Sequence, residues 1–271
     1  MLPDREKIQH IVRAAAREEL LPRFNNVAHT FKHDGSIVTE ADFAMHRRLK
    51  KELSAGWPDI DFLSEEMPIA QQEALVNGTR RPLWCLDPLD GTSNFAAGIP
   101  YFCVSLALIV GGEPALGVIY DPYRDELFAV TAGEGASLNG QALANAAANM
   151  PLWNAVALVD LKRLPHELRL RLVNTPPYRS QRNFGSAALE WSWLAAGRGH
   201  LYLHGGHKIW DLAVGSLLLA ETGGHSMTLD GRPVFSPNME SSSIVAASDE
   251  ALFRQWCAWL NLEIAPRSKA G

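Results

Sequence analysis

The run Asp87-Pro88-Leu89-Asp90-Gly91-Thr92 constrains this chain more than any other segment, because it puts two carboxylates, a glycine and a hydroxyl on one tight turn. The residues before it, Pro82-Leu83-Trp84-Cys85-Leu86, are apolar and few, as expected of a buried strand that delivers Asp87 at its C-terminal end. Pro88 has no N–H to give to a ladder, so the strand is expected to stop there and the chain to turn toward Gly91. Asp87 and Asp90 then lie close together with nothing basic between them, and two such charges repel unless a cation shares them. The turn reads as half of a hard-metal site. Gly91 and Thr92 add backbone N–H groups where a short helix can begin, which is a natural seat for a phosphate. A plain surface turn uses the same residue types. An EF-hand loop does not fit, because the place of its bidentate glutamate is taken by Gly98.

With 271 residues, 47% of them hydrophobic, the chain can bury a large core. We expect one unit over residues 1–271, built from a half at 1–145 and a half at 146–265, with 266–271 as a disordered tail. The net charge of −5 argues against a nucleic-acid surface, and no run of about 18 apolar residues exists to span a membrane. Cys85, Cys103 and Cys257 have no metal-like spacing and read as reduced, buried thiols of a cytoplasmic protein.

Helical spacing of Ile8, Ile11, Val12, Ala15 and Leu20 predicts a first helix within residues 4–20. A second is expected from Glu40 to Leu53, with Thr39 as its N-cap. Asp59 to Leu63 reads as a strand ending at Ser64-Glu65-Glu66. Phe102–Val110, Ala115–Tyr120 and Glu126–Thr131, joined by short turns, predict an antiparallel meander. Ala142 to Met150 looks like a connection between halves. Beyond it the pattern alternates: strands at 154–159, 178–183, 200–203 and 243–247, and helices at 165–173, 186–196, 211–222 and 249–262. Mixed sheets layered with helices fit this order.

Other acids stand at positions that could complete a metal site. Glu65 and Glu66 follow a strand, as Asp87 does, although a solvated loop would look the same. Asp211 precedes an apolar helix and is equally a good N-cap; Thr39-x-x-Asp42 is a capping-box pattern. Together, however, Ile37-Val38-Thr39-Glu40-Ala41-Asp42, Ser64-Glu65-Glu66, Trp84 to Phe95, Trp210-Asp211-Leu212-Ala213-Val214-Gly215 and Glu221-Thr222-Gly223-Gly224 occur in one order. The set resembles the inositol monophosphatase family of magnesium-dependent, lithium-sensitive phosphatases, and the resemblance runs from about residue 5 to residue 260.

The resemblance implies a mixed α/β fold, the layered α-β-α-β-α sandwich of the inositol monophosphatase and fructose-1,6-bisphosphatase type. It implies Mg²⁺, two or three ions per site. Glu65, Asp87 and the Leu89 carbonyl would hold one, Asp87, Asp90 and Asp211 a second, and a weaker third would sit near Glu65. Glu66 would stay outside the ligand set. Glu65 and Thr92 would orient the attacking water, Asp42 would aim the Thr92 hydroxyl, and the Gly91 and Thr92 amides would bind phosphate oxygens. Asp90, Asp211, Gly185, Ser186 and Ala187 would meet the substrate. At His204, inositol-hydrolysing members commonly carry a Glu that binds sugar hydroxyls. His207 and Lys208 are expected to form a positive lip, and Lys32, His33 and Asp34-Gly35-Ser36 a lid or a solvated loop.

The implied partner is a small phosphate monoester, with inositol 1-phosphate first and a 3′(2′),5′-bisphosphate nucleotide second. Fructose 1,6-bisphosphate and histidinol phosphate stay open. A different class of function, a module that binds the transcription machinery, also remains. Family members are commonly homodimers, and Trp153, Trp191 or Trp193 would serve an interface or the core.

Overall fold

The computed structural model describes residues 2–25, 29–31, 37–78, 81–144 and 150–264. Residues 32–36, the expected lid, lie outside the described residues, as do 145–149 of the expected connection and the tail at 266–271. In chain order the elements are α1 (Arg5–Glu19), β1 (His29–Phe31), β2 (Ile37–Thr39), α2 (Glu40–Gly56), β3 (Asp61–Ser64), α3 (Ile69–Gly78), β4 (Leu83–Asp90) and α4 (Thr92–Ala96). Next come β5 (Cys103–Val110), β6 (Glu113–Asp121), β7 (Glu126–Thr131), β8 (Gly135–Leu138), β9 (Gln141–Leu143), β10 (Val156–Val159), α5 (His166–Asn174), β11 (Ser180–Arg182) and α6 (Ala187–Ala195). The last are β12 (Leu201–His207), α7 (Ile209–Glu221), β13 (His225–Met227), β14 (Ser242–Ala247) and α8 (Glu250–Leu260).

Two mixed sheets carry the fold. One has seven strands in the order β3-β4-β5-β6-β7-β8-β9, antiparallel except for the parallel β3–β4 pair. The other has five in the order β11-β10-β12-β14-β13, with β10 parallel to both neighbours. Strand alternation gives each sheet two apolar faces. On β4 and β5, Trp84, Leu86, Val104 and Leu106 meet Ile8, Val12, Met45 and Leu49 of α1 and α2. The other residues of the same strands, Cys85, Cys103 and Ala107, meet Leu189 of α6 and Val214 of α7. Those two helices turn Trp191, Leu194, Leu212 and Leu219 toward Leu158, Tyr202 and Ile244 of the second sheet. Its far face, through Val159, Leu203 and Val245, packs on Leu172 of α5 and Trp256 of α8. The layers are therefore α1/α2, the seven-stranded sheet, α6/α7, the five-stranded sheet and α5/α8, the expected five-layer order.

Several expectations change in detail. The strand does not stop at Pro88: β4 runs to Asp90, because its register against β5 slips between Asp87↔Ser105 and Asp90↔Cys103. That slip is a β-bulge, where a residue need not donate to the ladder and proline is tolerated. The meander is longer than expected, adding β8 and β9. The helix α3 has no apolar stripe, only Gln72 being buried, so its sequence carried no periodic signal. Trp191 is buried and Trp193 packs within an apolar cluster, which makes them core residues, while Trp153 is 70% exposed. All three cysteines are buried and free. Among the described residues, no helix is long and apolar enough to cross a membrane.

Candidate metal and phosphate site

The parallel pairing of β3 with β4 sets Ser64 beside Leu86, and the Glu65 N–H donates to the Leu86 carbonyl at 3.1 Å. Glu65 and Asp87 thus leave neighbouring strand ends on the same edge. The bulge that follows brings Asp90 round to the same side. Asp211 arrives from elsewhere: α7 starts at Ile209, so Asp211 is not an N-cap but lies in the first turn, where its Oδ2 accepts the Lys208 N–H at 2.8 Å. Asp87, Asp90 and Asp211 each offer a carboxylate oxygen within 4.8 Å of the others. Asp87 and Asp90 are buried and Asp211 is half-buried. Glu65 falls outside that tight group, but its charge is felt by all three.

Electrostatics make this an unstable arrangement without a cation. Burial first, then Glu65, Asp90 and Asp211, push the Asp87 carboxyl well above its ordinary range. Burial and then Asp90 and Glu65 do the same to Asp211. Asp90 is raised by burial, against hydrogen bonds from Ser186 Oγ at 2.5 Å and the Ala188 N–H at 2.8 Å to its Oδ2. Oxygen donors of one sign, crowded and dry, are what a hard divalent ion accepts.

A pH dependence follows. For a carboxyl whose folded pKa lies above its unfolded value, the stabilising contribution is full below the unfolded value and is lost as pH rises through the folded one. Asp87, Asp90 and Asp211 all shift upward from 3.8. In EDTA, the melting temperature is expected to fall as pH rises above about 4, and saturating Mg²⁺ is expected to flatten that slope. Thermal melts from pH 4 to pH 8, with and without Mg²⁺, check this; an equal slope in both would remove the repulsion from the site.

Around the acids, Asp42 and Thr92 are placed as expected. Thr39 caps α2, and Asp42 completes the capping box: its Oδ2 accepts from the Thr39 N–H at 2.8 Å and the Thr39 hydroxyl at 2.6 Å. Its Oδ1 lies 3.2 Å from Thr92 Oγ1, which is also 2.8 Å from the Leu89 carbonyl. Gly91 adopts φ 89°, and a Cβ there would come within 2.9 Å of the Tyr101 carbonyl, so the turn before α4 requires glycine. Gln72 of α3 donates to the carbonyls of Ser64 at 3.1 Å and Glu65 at 2.9 Å, fixing the end of β3.

A cleft of about 210 Å³ is lined by Asp90 and Asp211, by Gly185, Ser186 and Ala187, and by Asp160, Lys162, Arg163, Asn183 and His204. Of the expected substrate residues, Asp90, Asp211, Gly185, Ser186, Ala187 and His204 line it, and Gly91 and Thr92 do not. His204, however, already uses both ring nitrogens. Its Nδ1 accepts the Gly206 N–H at 3.1 Å, which leaves its Nε2 to face Asp160 at 3.4 Å. The expected positive lip of His207 and Lys208 is absent. His207 is buried, and burial holds it neutral between Trp191 Nε1 and Tyr202 Oη. Lys208 reaches away to the Met239 carbonyl at 2.8 Å.

Lys162 and Arg163 supply the positive charge instead, and neither they nor Asp160 and Glu190 stood out in the sequence. Asp160 follows β10 as Asp87 follows the core of β4, and a carboxylate leaving the C-terminal end of a parallel strand was a readable signal. Glu190 was not readable: burial pushes its carboxyl up to about 7, while it accepts the Phe184 N–H at 2.6 Å and orders the loop before α6. A larger groove of about 740 Å³ near Trp57 and Leu108 has, among its described lining residues, Asp4 and Asp59 as ionisable groups and no cation to meet a phosphate.

Comparison with known proteins identifies the family. The chain is 36% identical over 200 residues to a protein named Nus factor SuhB from Xylella fastidiosa, covering 72% of this chain and 70% of the relative. It is 36% identical over 218 residues to inositol monophosphatase 1 of Solanum lycopersicum, covering 77% and 78%. The solved extragenic suppressor protein suhB of Bartonella henselae superposes with a TM-score of 0.81 at 29% identity, covering 96% of this chain and 98% of that one. A solved inositol monophosphate-bound SaIMPase-II superposes with a TM-score of 0.74 at 25% identity, covering 92% and 90%. The model of the inositol monophosphatase family matches residues 4–261, and the chain belongs to that family.

Proposed function

We propose that this protein is a magnesium-dependent phosphomonoesterase acting on a small phosphorylated alcohol of the inositol 1-phosphate type. The observation that carries the reading is the meeting of Asp87, Asp90 and Asp211 within 4.8 Å, with Asp90 and Asp211 lining a cleft. Those three carboxylates, with Glu65 and the Leu89 carbonyl, would hold two or three Mg²⁺ ions. When bound, the ions supply Lewis acidity that polarises the ester phosphate and acidifies the attacking water.

The chain's own residues do the positioning. Thr39 pins one oxygen of Asp42, so the other has a fixed direction in which to hold the Thr92 hydroxyl. Thr92 and Glu65 together orient the water for attack in line with the leaving oxygen. The amides of Gly91 and Thr92, at the start of α4, bind phosphate oxygens. Gly185, Ser186 and Ala187 receive the alcohol, and no covalent enzyme intermediate is needed. Two names support the reading: the tomato relative is an inositol monophosphatase, and one superposed structure is described as bound to inositol monophosphate. A homodimer belongs to the same proposal.

The test is phosphate release from a panel of monoesters with Mg²⁺, with and without lithium. Mg²⁺-dependent release that lithium suppresses is expected. The name of the Xylella relative, Nus factor SuhB, favours the second reading, a module for the transcription machinery. Stoichiometric capture of such a partner, with no turnover of any ester, would decide for it.

A further inference from the structure

The end of β3, from which Glu65 leaves, is held by side chains of two helices. Gln72 of α3 donates to the carbonyls of Ser64 and Glu65 at 3.1 and 2.9 Å. The Ser64 hydroxyl meets His46 of α2, whose Nδ1 lies 2.9 Å from Ser64 Oγ. The same oxygen accepts the Glu66 N–H at 3.4 Å, so the hydroxyl is tied to the chain on the far side of Glu65 as well. Ser64 is fully buried, so water cannot take the place of the imidazole as its partner.

Strand alternation puts this contact behind the acids. Phe62 joins the core that includes Met45 and Leu49 of α2, and Leu63 joins the one that includes Val214 of α7. By the same alternation Ser64 faces α2, and Glu65 faces the side from which Asp211 arrives. The half-buried ring of His46 stands edge-on to Phe62 with centroids 5.6 Å apart, which keeps Nδ1 aimed at the hydroxyl. Burial, then Lys50 and Arg47, lowers the His46 pKa from its ordinary value, so the ring carries no charge at neutral pH. It gives direction to the strand end and no charge to the acids. Asp42 lies one turn earlier on the same face of α2, and its Oδ1 is 3.2 Å from Thr92 Oγ1. One helix thus reaches both Thr92 and the backbone that carries Glu65.

We propose that His46 is a positioning residue for the reaction: through the Ser64 hydroxyl it fixes the strand end that carries Glu65, so that α2 aligns Glu65 and Thr92 with each other; this rests on the phosphomonoesterase reading above. Glu65 and Thr92 are the pair assigned to orient the attacking water, and they come from segments far apart in the chain. A shift of one against the other by a fraction of an ångström spoils the line of attack, whereas the alcohol, met by Gly185 to Ala187, is held elsewhere. His46 acts only through Ser64 and moves no proton of the reaction.

The experiment measures phosphate release from inositol 1-phosphate by the full chain over a Mg²⁺ series, with melting temperatures to show that each variant is folded. His46→Leu keeps the bulk and loses the hydrogen bond. It is expected to lower kcat about tenfold and to raise the half-saturating Mg²⁺ about threefold, with the ester KM within about twofold. Ser64→Ala is expected to do the same, and His46→Leu/Ser64→Ala to be no worse than either alone, because both break one contact. His46→Asn sets an amide at the level of Nδ1 that can donate or accept, and is expected to restore kcat to within about threefold. A merely structural role would lower the melting temperature and leave kcat and the Mg²⁺ dependence of the folded variants unchanged, which overturns the proposal; additive losses in the double variant overturn it too. If the unaltered chain releases phosphate from no ester, the phosphomonoesterase reading fails by itself. Calorimetric titration with Mg²⁺ alone then decides the role of His46: about threefold weaker binding in His46→Leu, recovered in His46→Asn, supports it, and equal binding in all three chains rejects it.

Discussion

Asp90→Asn is expected to lower Mg²⁺-dependent phosphate release by about 10³-fold or more, equivalent to about 4 kcal/mol in the barrier, while the folded protein without metal becomes more stable. Both effects come from one charge. Asp90 is one of three acids with oxygens within 4.8 Å, and as a proposed ligand it supplies negative charge that an amide cannot. The shape of the residue is retained in Asn, and its amide oxygen can still accept from Ser186 Oγ and the Ala188 N–H, which lie at 2.5 and 2.8 Å from Oδ2. The loss should therefore appear in catalysis without unfolding. In EDTA, one fewer carboxylate in a buried group of like charges should stabilise by about 1 kcal/mol, or roughly 2–4 °C in melting temperature. Phosphate release and melts in EDTA check the pair of effects. Full activity in the variant would take Asp90 out of the proposed site, and a large drop in melting temperature would show that the charge serves the fold.

Gly215→Ala is expected to cost about 3 kcal/mol of stability, despite placing a better helix former in α7. Helix propensity favours alanine over glycine by about 1 kcal/mol. Packing opposes it and wins. A Cβ at Gly215 would collide with Trp191 Cγ and stand 2.5 Å from Trp191 Cβ and 2.7 Å from Cδ1. Trp191 is fully buried between α6, α7 and the second sheet, so its ring has nowhere to move. Because α7 carries Asp211, a forced separation of α6 from α7 would also move that carboxylate relative to Asp90, whose partners Ser186 and Ala188 lie at the start of α6. A fall of roughly 6–10 °C in melting temperature is expected. Gly78→Ala, where a Cβ meets nothing within 4 Å, is the control and should leave stability unchanged or higher. Equal melting temperatures for the two variants would show that the α6–α7 contact tolerates the extra methyl.

Some of the candidate site was legible without coordinates, because local chemistry determined it. Thr39 and Asp42 form the capping box that their spacing announces. The apolar run up to Leu86 delivers Asp87, and Gly91 takes the left-handed conformation that only glycine holds without strain. Other features had no local signature. His207 reads as a surface cation, yet its ring is enclosed by Trp191 and Tyr202, residues whose sequence distance carries no hint of contact. Lys162 and Arg163 look like an ordinary charged loop until the notch at Gly205 and Gly206 places them over the cleft. Helix α3, lacking an apolar stripe, acts through a single buried side chain, Gln72, that holds the end of β3.

Periodicity, caps and turn chemistry act over a few residues, and for that reason the amino-acid order by itself determined most of the helices and the core of the meander, but not α3; the five-layer class and the candidate acids came from the family that the motif set resembles. Which acids meet was decided by pairing between distant strands. The parallel contact of β3 with β4 sets Glu65 beside Asp87, the β4 bulge turns Asp90 inward, and the packing of α7 on the seven-stranded sheet carries Asp211 across. The sign and occupancy of the groups around Asp160, Arg163 and His207 were likewise settled only by tertiary structure. Burial and hydrogen bonding decide whether a histidine is neutral or a lysine is left without a partner, and both depend on neighbours that the chain brings together only on folding.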